Sequence, residues 1–281
     1  MMRSLWTAAS GMRAQQVNVD TIANNIANVN TTGYKSQEAS FKSLLYQNLQ
    51  STSTNNAGEN KPVAAEVGLG SRVSAITSIF DQGELLASDN VFSMAIQGDG
   101  FFSVRNENGE IYYTRDGNFN ISPVAGGNML VTADGSPVLD QNGNTIIIPS
   151  QYNAANLEVQ PNGQLKIRDG EGNTLNLVAT DANGNVLYDK YIGLYQFSNA
   201  AGLSHEGGNY YSVTPASGEP INEFGNNNIV ASTVHQKYTE GSNVDVANEI
   251  VNLIVAQRAY EMNSKAIQAS DEMMQQANNL R

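Results

Sequence analysis

Cysteine is absent from the 281 residues, which excludes disulfides, thiolate metal sites and cysteine nucleophiles. Histidine occurs twice, as His205 and His235, and neither has a spacing that supplies a catalytic partner. Charged residues are only 15% of the chain, with 27 acids against 15 bases and a net charge of -12. That balance leaves no electrostatic footprint for nucleic acid or anionic lipid. Long apolar runs are missing as well. Nothing approaches the roughly 18 residues that span a bilayer, so direct membrane insertion is not expected. In Met1 to Arg13, the residues Ser4, Thr7, Ser10 and Arg13 break any apolar centre, so no cleaved leader is expected there.

What the chain does have is a long amphipathic pattern at each end. Leu5, Met12, Val19 and Ile26 recur every seven residues, with Ala8, Gln15, Ile22 and Val29 between them. Val246, Leu253, Tyr260, Ile267 and Met274 repeat the period at the other end, accompanied by the row Ile250, Gln257, Ser264 and Asp271. A seven-residue apolar repeat of this length is a coiled-coil type of seam. Helices are predicted over residues 3 to about 30, closed by Gly33, and over the C-terminal 40 residues, started by Ser242 and Asp245. Asn18, Asn24, Asn25 and Asn28 flank the first seam. Asn is a poor helix former, so these amides either bond across a helix interface or form a solvated face. Ala247, Val251, Ile254, Met262, Ala266, Ala269 and Met273 make a second apolar band on the last helix. A helix apolar on two sides calls for more than one neighbour, or for a place in a globular core.

Between the helices the period changes to two. Strands are predicted at Val73–Phe80, Phe101–Val104, Ile111–Thr114, Thr145–Ile148, Gln164–Arg168, Thr174–Thr180, Val186–Phe197 and Tyr210–Thr214. Asn-Gly and Asp-Gly pairs end at Gly109, Gly117, Gly135, Gly143, Gly163, Gly170 and Gly184, suited to tight turns with positive φ at both central residues. The expected class is α+β: terminal helices around a central, mainly antiparallel β-domain. The domains are drawn at 1–35 (assembly helix), 36–72 (a second short helix over Ser36–Leu49, then a polar arm from Gln50 to Lys61), 73–235 (β-domain) and 236–281 (assembly helix).

No motif carries chemistry. Gln97-Gly98-Asp99-Gly100 lies between strands and does not open a helix, so its glycines suit a turn more than a phosphate. Asp140 to Asn144 and Asp181 to Asn185 begin like calcium loops. Both then carry Thr145 or Val186 where Gly is needed, and Gln151 or Ile192 where Glu is needed. Asp99, Asp116 and Asp134 each precede Gly and are explained by turns. No catalytic residue, metal or cofactor is therefore expected. Two other classes compete. One is a glycan-binding β-protein stacking sugars on Tyr112, Tyr113, Tyr210 and Tyr211. The other is a cell-wall hydrolase, which would need a spaced carboxylate pair.

Several stretches carry a resemblance. Leu5 to Met12 and Ala23 to Lys35 are similar to the opening signature of the bacterial flagellar basal-body rod and hook family. Asn243 to Glu249 and Gln257 to Lys265 resemble its closing signature, and Ala95 to Phe102 and Tyr113 to Phe119 its β-domain. The resemblance implies an axial structural subunit that stacks helically with copies of itself and with other rod and hook subunits. It further implies delivery by the flagellar type III export apparatus to a place outside the cytoplasmic membrane. The assembly surface expected on this basis comprises Leu5, Met12, Val19, Ile22, Asn25, Ile26, Asn28, Val29, Val246, Ile250, Leu253, Tyr260, Ile267 and Met274.

Overall fold

The computed structural model describes residues 2–50, 65–169, 173–180, 186–226 and 229–279. Most of the predicted polar arm and the loop Asp181 to Asn185 lie outside the described residues. The chain forms two units, each assembled from separated stretches. The first combines Met1–Ala27, Gln37–Ile79 and Asp245–Arg281; the second combines Asn28–Ser36 and Phe80–Val244.

The first unit holds both long helices, α1 (Met2–Ala27) and α2 (Val246–Asn279). Helix α1 ends three residues before the expected boundary. Asn28 accepts from the Thr31 amide in a turn. Gly33 is left-handed at φ 68°, but it lies beyond the helix and does not close it. Helix α2 is capped by Asp245, whose Oδ1 accepts from the amides of Ala247 (2.9 Å) and Asn248 (3.4 Å). Ser242 instead accepts from the Val244 amide, so the cap falls on the second of the two residues considered.

The predicted short helix over Ser36–Leu49 does not form. Gln37–Ser43 is a strand antiparallel to Ser71–Ser78, with a bulge at Ser40/Phe41, and Tyr46–Gln50 pairs with Ala65–Gly68. Phe41, Leu44, Leu45 and Leu49 fit a helical face only by spacing. Their partner strands, Ser71–Ser78 and Ala65–Gly68, lie across the polar stretch, so no local pattern reveals the pairing.

The second unit is an antiparallel β-fold. Its largest sheet runs, in spatial order, Ser204–Gly207, Tyr210–Ser212, Ile111–Thr114, Phe101–Arg105, Leu194–Gln196 and Ile221–Asn222. Phe101 and Phe102 point to opposite faces, yet both are buried, because each face has its own core. Phe102, Val104, Met94, Ile96, Leu130 and Ile148 belong to the larger core; Phe101, Tyr113, Leu203 and Tyr211 form the smaller.

The Asn-Gly and Asp-Gly turns share one construction. Gly109, Gly135, Gly143 and Gly163 each donate their amide to the carbonyl three residues back, and that residue's own amide bonds the carbonyl of the residue after the glycine. Each of these glycines has positive φ, whereas the Asn or Asp before it does not. This is a type I turn followed by one left-handed glycine, not the doubly positive turn expected. The extra residue relieves Asn or Asp of an unfavourable φ. Gly117 departs from the rule: its φ is not positive, and a Cβ there would stand 1.6 Å from the Met94 carbonyl oxygen. It serves close backbone approach, with its own carbonyl accepting from the Met94 amide at 2.9 Å.

A buried ion cluster ties the ends of this unit together. Lys35 Nζ lies 2.6 Å from Glu240 Oε1, and Arg115 lies 3.5 Å from Glu240 Oε2; all three are buried. Lys35 also donates to the Asp81 carbonyl at 2.7 Å and the Gly83 amide to Glu240 at 3.0 Å, while Arg115 sits over the Phe101 ring at 4.9 Å. Burial pulls the Lys35 ammonium below its ordinary range, and Glu240 pulls it partly back.

Candidate assembly interface

Helices α1 and α2 pack on one another, and three juxtapositions fix how. The hydroxyls of Ser4 and Ser270 are 3.1 Å apart. A Cβ added at Gly11 would stand 2.9 Å from Asn263. Asn25 Nδ2 donates to Glu249 Oε1 at 3.0 Å. Residue numbers rise along α1 (4, 11, 25) as they fall along α2 (270, 263, 249), so the pair is antiparallel. Asn25 also exchanges two 2.9 Å hydrogen bonds with the Gln37 backbone, joining α1, as a neighbouring strand would, to the ribbon formed by the strand pairs Gln37–Ser43/Ser71–Ser78 and Tyr46–Gln50/Ala65–Gly68. Of the two readings left open for this amide, the interface one holds.

On α1 the buried residues are Ala8, Ala14, Thr21, Ile22 and Asn25, while Leu5, Met12, Val19 and Ile26 are half-buried beside them. Asn28 and Val29 fall past the helix end, where Asn28 Oδ1 accepts from the Thr31 hydroxyl at 3.1 Å; neither belongs to the helix seam. On α2 only Ala256 and Ser270 are buried. Leu253, Ile267 and Met274 are half-buried, and Val246, Ile250 and Tyr260 are exposed.

The row that accompanies Leu253, Tyr260, Ile267 and Met274 against α1 is Glu249, Ala256, Asn263 and Ser270. The expected row of Ile250, Gln257, Ser264 and Asp271 lies on the other flank, where Ile250 is 45% exposed. A seven-residue repeat names one row; only the partner helix decides which flank becomes the second. At 100° per residue, Val251, Val255, Met262 and Met273 project from the side opposite the α1 contact. All four are at least half exposed, Met262 at 65%. Between α1 and the ribbon lies a groove of about 960 Å³ lined by Trp6, Arg13, Val17, Leu44, Leu69 and Val73.

Among the described residues no three His, Asp or Glu converge as metal ligands, and no helix is long and apolar enough to cross a membrane. Asp140 spends Oδ1 on the amides of Asn142 and Asn144 and Oδ2 on the Tyr188 hydroxyl. Tyr113 and Tyr211 are buried, which removes half of the tyrosine surface considered for sugar stacking.

Three stretches match family descriptions. Residues 5–35 match "Flagella basal body rod protein", 95–167 match "Flagellar hook protein FlgE/F/G D1 domain" and 235–280 match "Flagellar basal body rod FlgEFG protein C-terminal". A relative from Borreliella burgdorferi, "Flagellar basal-body rod protein FlgG", is 40% identical over 283 residues, covering 100% of this chain and 99% of its own length. The chain belongs to the flagellar basal-body rod family. The protein of the same name from Agrobacterium fabrum is 41% identical over 97% of both chains. The "Flagellar hook-basal body complex protein FlhP" of Bacillus subtilis is 33% identical over the full length of both. As a flagellar rod protein the chain is a structural subunit of the basal body, outside the cytoplasmic membrane. The first and last matched stretches contain most of α1 and all of α2.

Sequence reasoning about this rod-family chain missed Gly11, Glu249, Asn263 and Ser270 as interface residues. One signal was available: Gly within a helix costs about 1 kcal/mol against Ala, so Gly11 asked for a close neighbour.

Proposed function

We propose that the chain polymerises with its own copies into the straight distal rod of the flagellum, transmitting torque toward the hook and performing no catalysis. The observation that carries this reading is the outer face of α2. Val251, Val255, Met262 and Met273 form an apolar stripe on the side turned away from α1, and in the single chain it stays open to solvent. Burying such a stripe returns about 25 cal/mol per Å², and a face that fits a different surface on the next copy builds an open helical array. Leu253, Ile267, Leu5, Met12, Val19 and Ile26 then hold the helix pair together, while the opposite face meets neighbours. Rod and hook subunits adjoin the array at its ends, and the flagellar type III apparatus delivers the chain. The full-length identity to relatives named FlgG supports the distal rod over neighbouring rod positions.

Electron microscopy of the purified chain under polymerising conditions tests the reading. The expected result is straight filaments from the wild type and none from Val255→Asp/Met262→Asp, with unchanged circular dichroism in the dispersed state. Normal filaments from the double variant would refute it.

A further inference from the structure

The apolar rows of this helix pair do not define one alignment. Sliding α2 by seven residues, about 10 Å, moves Leu253, Tyr260, Ile267 and Met274 onto one another's places, and the α1 row Leu5, Met12, Val19 and Ile26 meets apolar residues either way. The row beside it behaves differently. Ser4, Gly11, Asn18 and Asn25 stand level with Ser270, Asn263, Ala256 and Glu249, by the three juxtapositions measured above. Three levels are observed as matched pairs: hydroxyl on hydroxyl, missing Cβ under an amide, and amide on carboxylate; counting by sevens sets Asn18 level with the buried Ala256.

A slide in one direction sets Ser4 against Asn263 and Asn18 against Glu249, and carries Asn25 past the start of α2. A slide in the other sets Asn18 against Asn263 and Asn25 against Ala256. In both cases Asn263 loses the one position in the row without a Cβ, and the Asn25–Glu249 bond is broken. Asn25 cannot simply turn away, because its amide is engaged with the Gln37 backbone.

We propose that this small and polar row is a register lock. It contributes little to holding α1 and α2 together. It selects one of several nearly equivalent heptad alignments, as a single buried Asn does in coiled coils, and so fixes where the outer stripe of α2 is presented. The inference rests on the assembly reading for its consequence but not for its test.

Because the chain has no cysteine, cross-linking reports register directly. Full-length protein carrying Ser4→Cys/Ser270→Cys should form the intramolecular disulfide in at least about tenfold excess over Ser4→Cys/Ala277→Cys, the pair that reads a seven-residue slide. Gly11→Ala/Asn25→Leu/Glu249→Leu, which makes the row as degenerate as its neighbours, should bring the two yields together. Gly11→Ala/Asn263→Ala, with both partners trimmed and the 25–249 bond retained, should keep the native preference. Equal yields in the intact row, no disulfide at either position, or an unchanged preference in the degenerate row would each overturn the lock. Filament formation by the wild type is scored separately: its absence would count against the assembly reading and leave the register result standing.

Discussion

Glu240 is a single carboxylate facing two cations, Lys35 and Arg115, with all three groups out of solvent. The cluster carries one excess positive charge, and the Arg115 Nε lacks a hydrogen-bond partner. The Asp81 carbonyl, accepting from Lys35, and the Phe101 ring beneath Arg115 spread that charge, while the Gly83 amide donates to the Glu240 carboxylate. A buried ionic group is poor evidence of net stability, but removing one partner leaves the others uncompensated. Glu240→Gln is therefore expected to destabilise the β-unit by about 3–5 kcal/mol, measured by urea unfolding followed through tyrosine fluorescence. A loss below about 1 kcal/mol would show that water reaches the cluster. The three residues lie at positions 35, 115 and 240, and no spacing rule links them.

At the level of elements, the helices and the ribbon differ in how they are specified. Helix α2 carries its own start signal in Asp245, its own periodicity and few β-branched residues in its second half. Asp245→Ala should cost about 1 kcal/mol of helix stability, seen as faster amide exchange over Ala247 to Val251 with exchange in the β-unit unchanged. Uniform acceleration across the chain would argue instead that the cap stabilises the whole molecule. The first arm of the ribbon, Gln37–Ser43 and Tyr46–Gln50, has no such local signature. Leu45, Tyr46 and Leu49 stay exposed, and its strands are held chiefly by their ladder to a distant stretch. Spacing alone suggested a helix there. The type I turns closed by Gly109, Gly135, Gly143 and Gly163 were visible as dipeptides, but their φ signs depend on the ladder that closes each one.

For the whole molecule, alkaline pH is the condition that reports the β-unit as one body. Burial holds the phenols of Tyr113 and Tyr210 up to about 12, and it raises Tyr211 and Tyr195 as well. A phenol whose folded pKa lies above its unfolded value of about 10 contributes stability that is complete below pH 10 and lost as pH climbs through the folded value. Lys35 and Lys190 act oppositely. Their burial lowers the folded pKa, so the cost of keeping them charged is relieved as pH approaches 10.5. Four phenols oppose two amines, and the thermal midpoint should fall between pH 10 and 12. Tyr113→Phe should flatten that fall; an identical slope in the variant would mean that Tyr113 ionises freely in the folded state.

Sequence alone determined the two helices, their heptads, the α+β class, the turn positions and the family, because periodicity, capping and motif residues act over a few neighbours along the chain. It also placed Ile22 in the row beside the first heptad and left Asn25 open between an interface amide and a solvated face. Tertiary structure alone decided that Gln37–Ser43 and Tyr46–Gln50 are strands, that Asn28–Ser36 folds with the β-strands, and that Glu249, Ala256, Asn263 and Ser270 face α1. It likewise decided that Lys35, Arg115 and Glu240 share one buried site. Each of these depends on which distant surface arrives opposite a residue, and a repeat that is indifferent to a seven-residue slide cannot encode that choice.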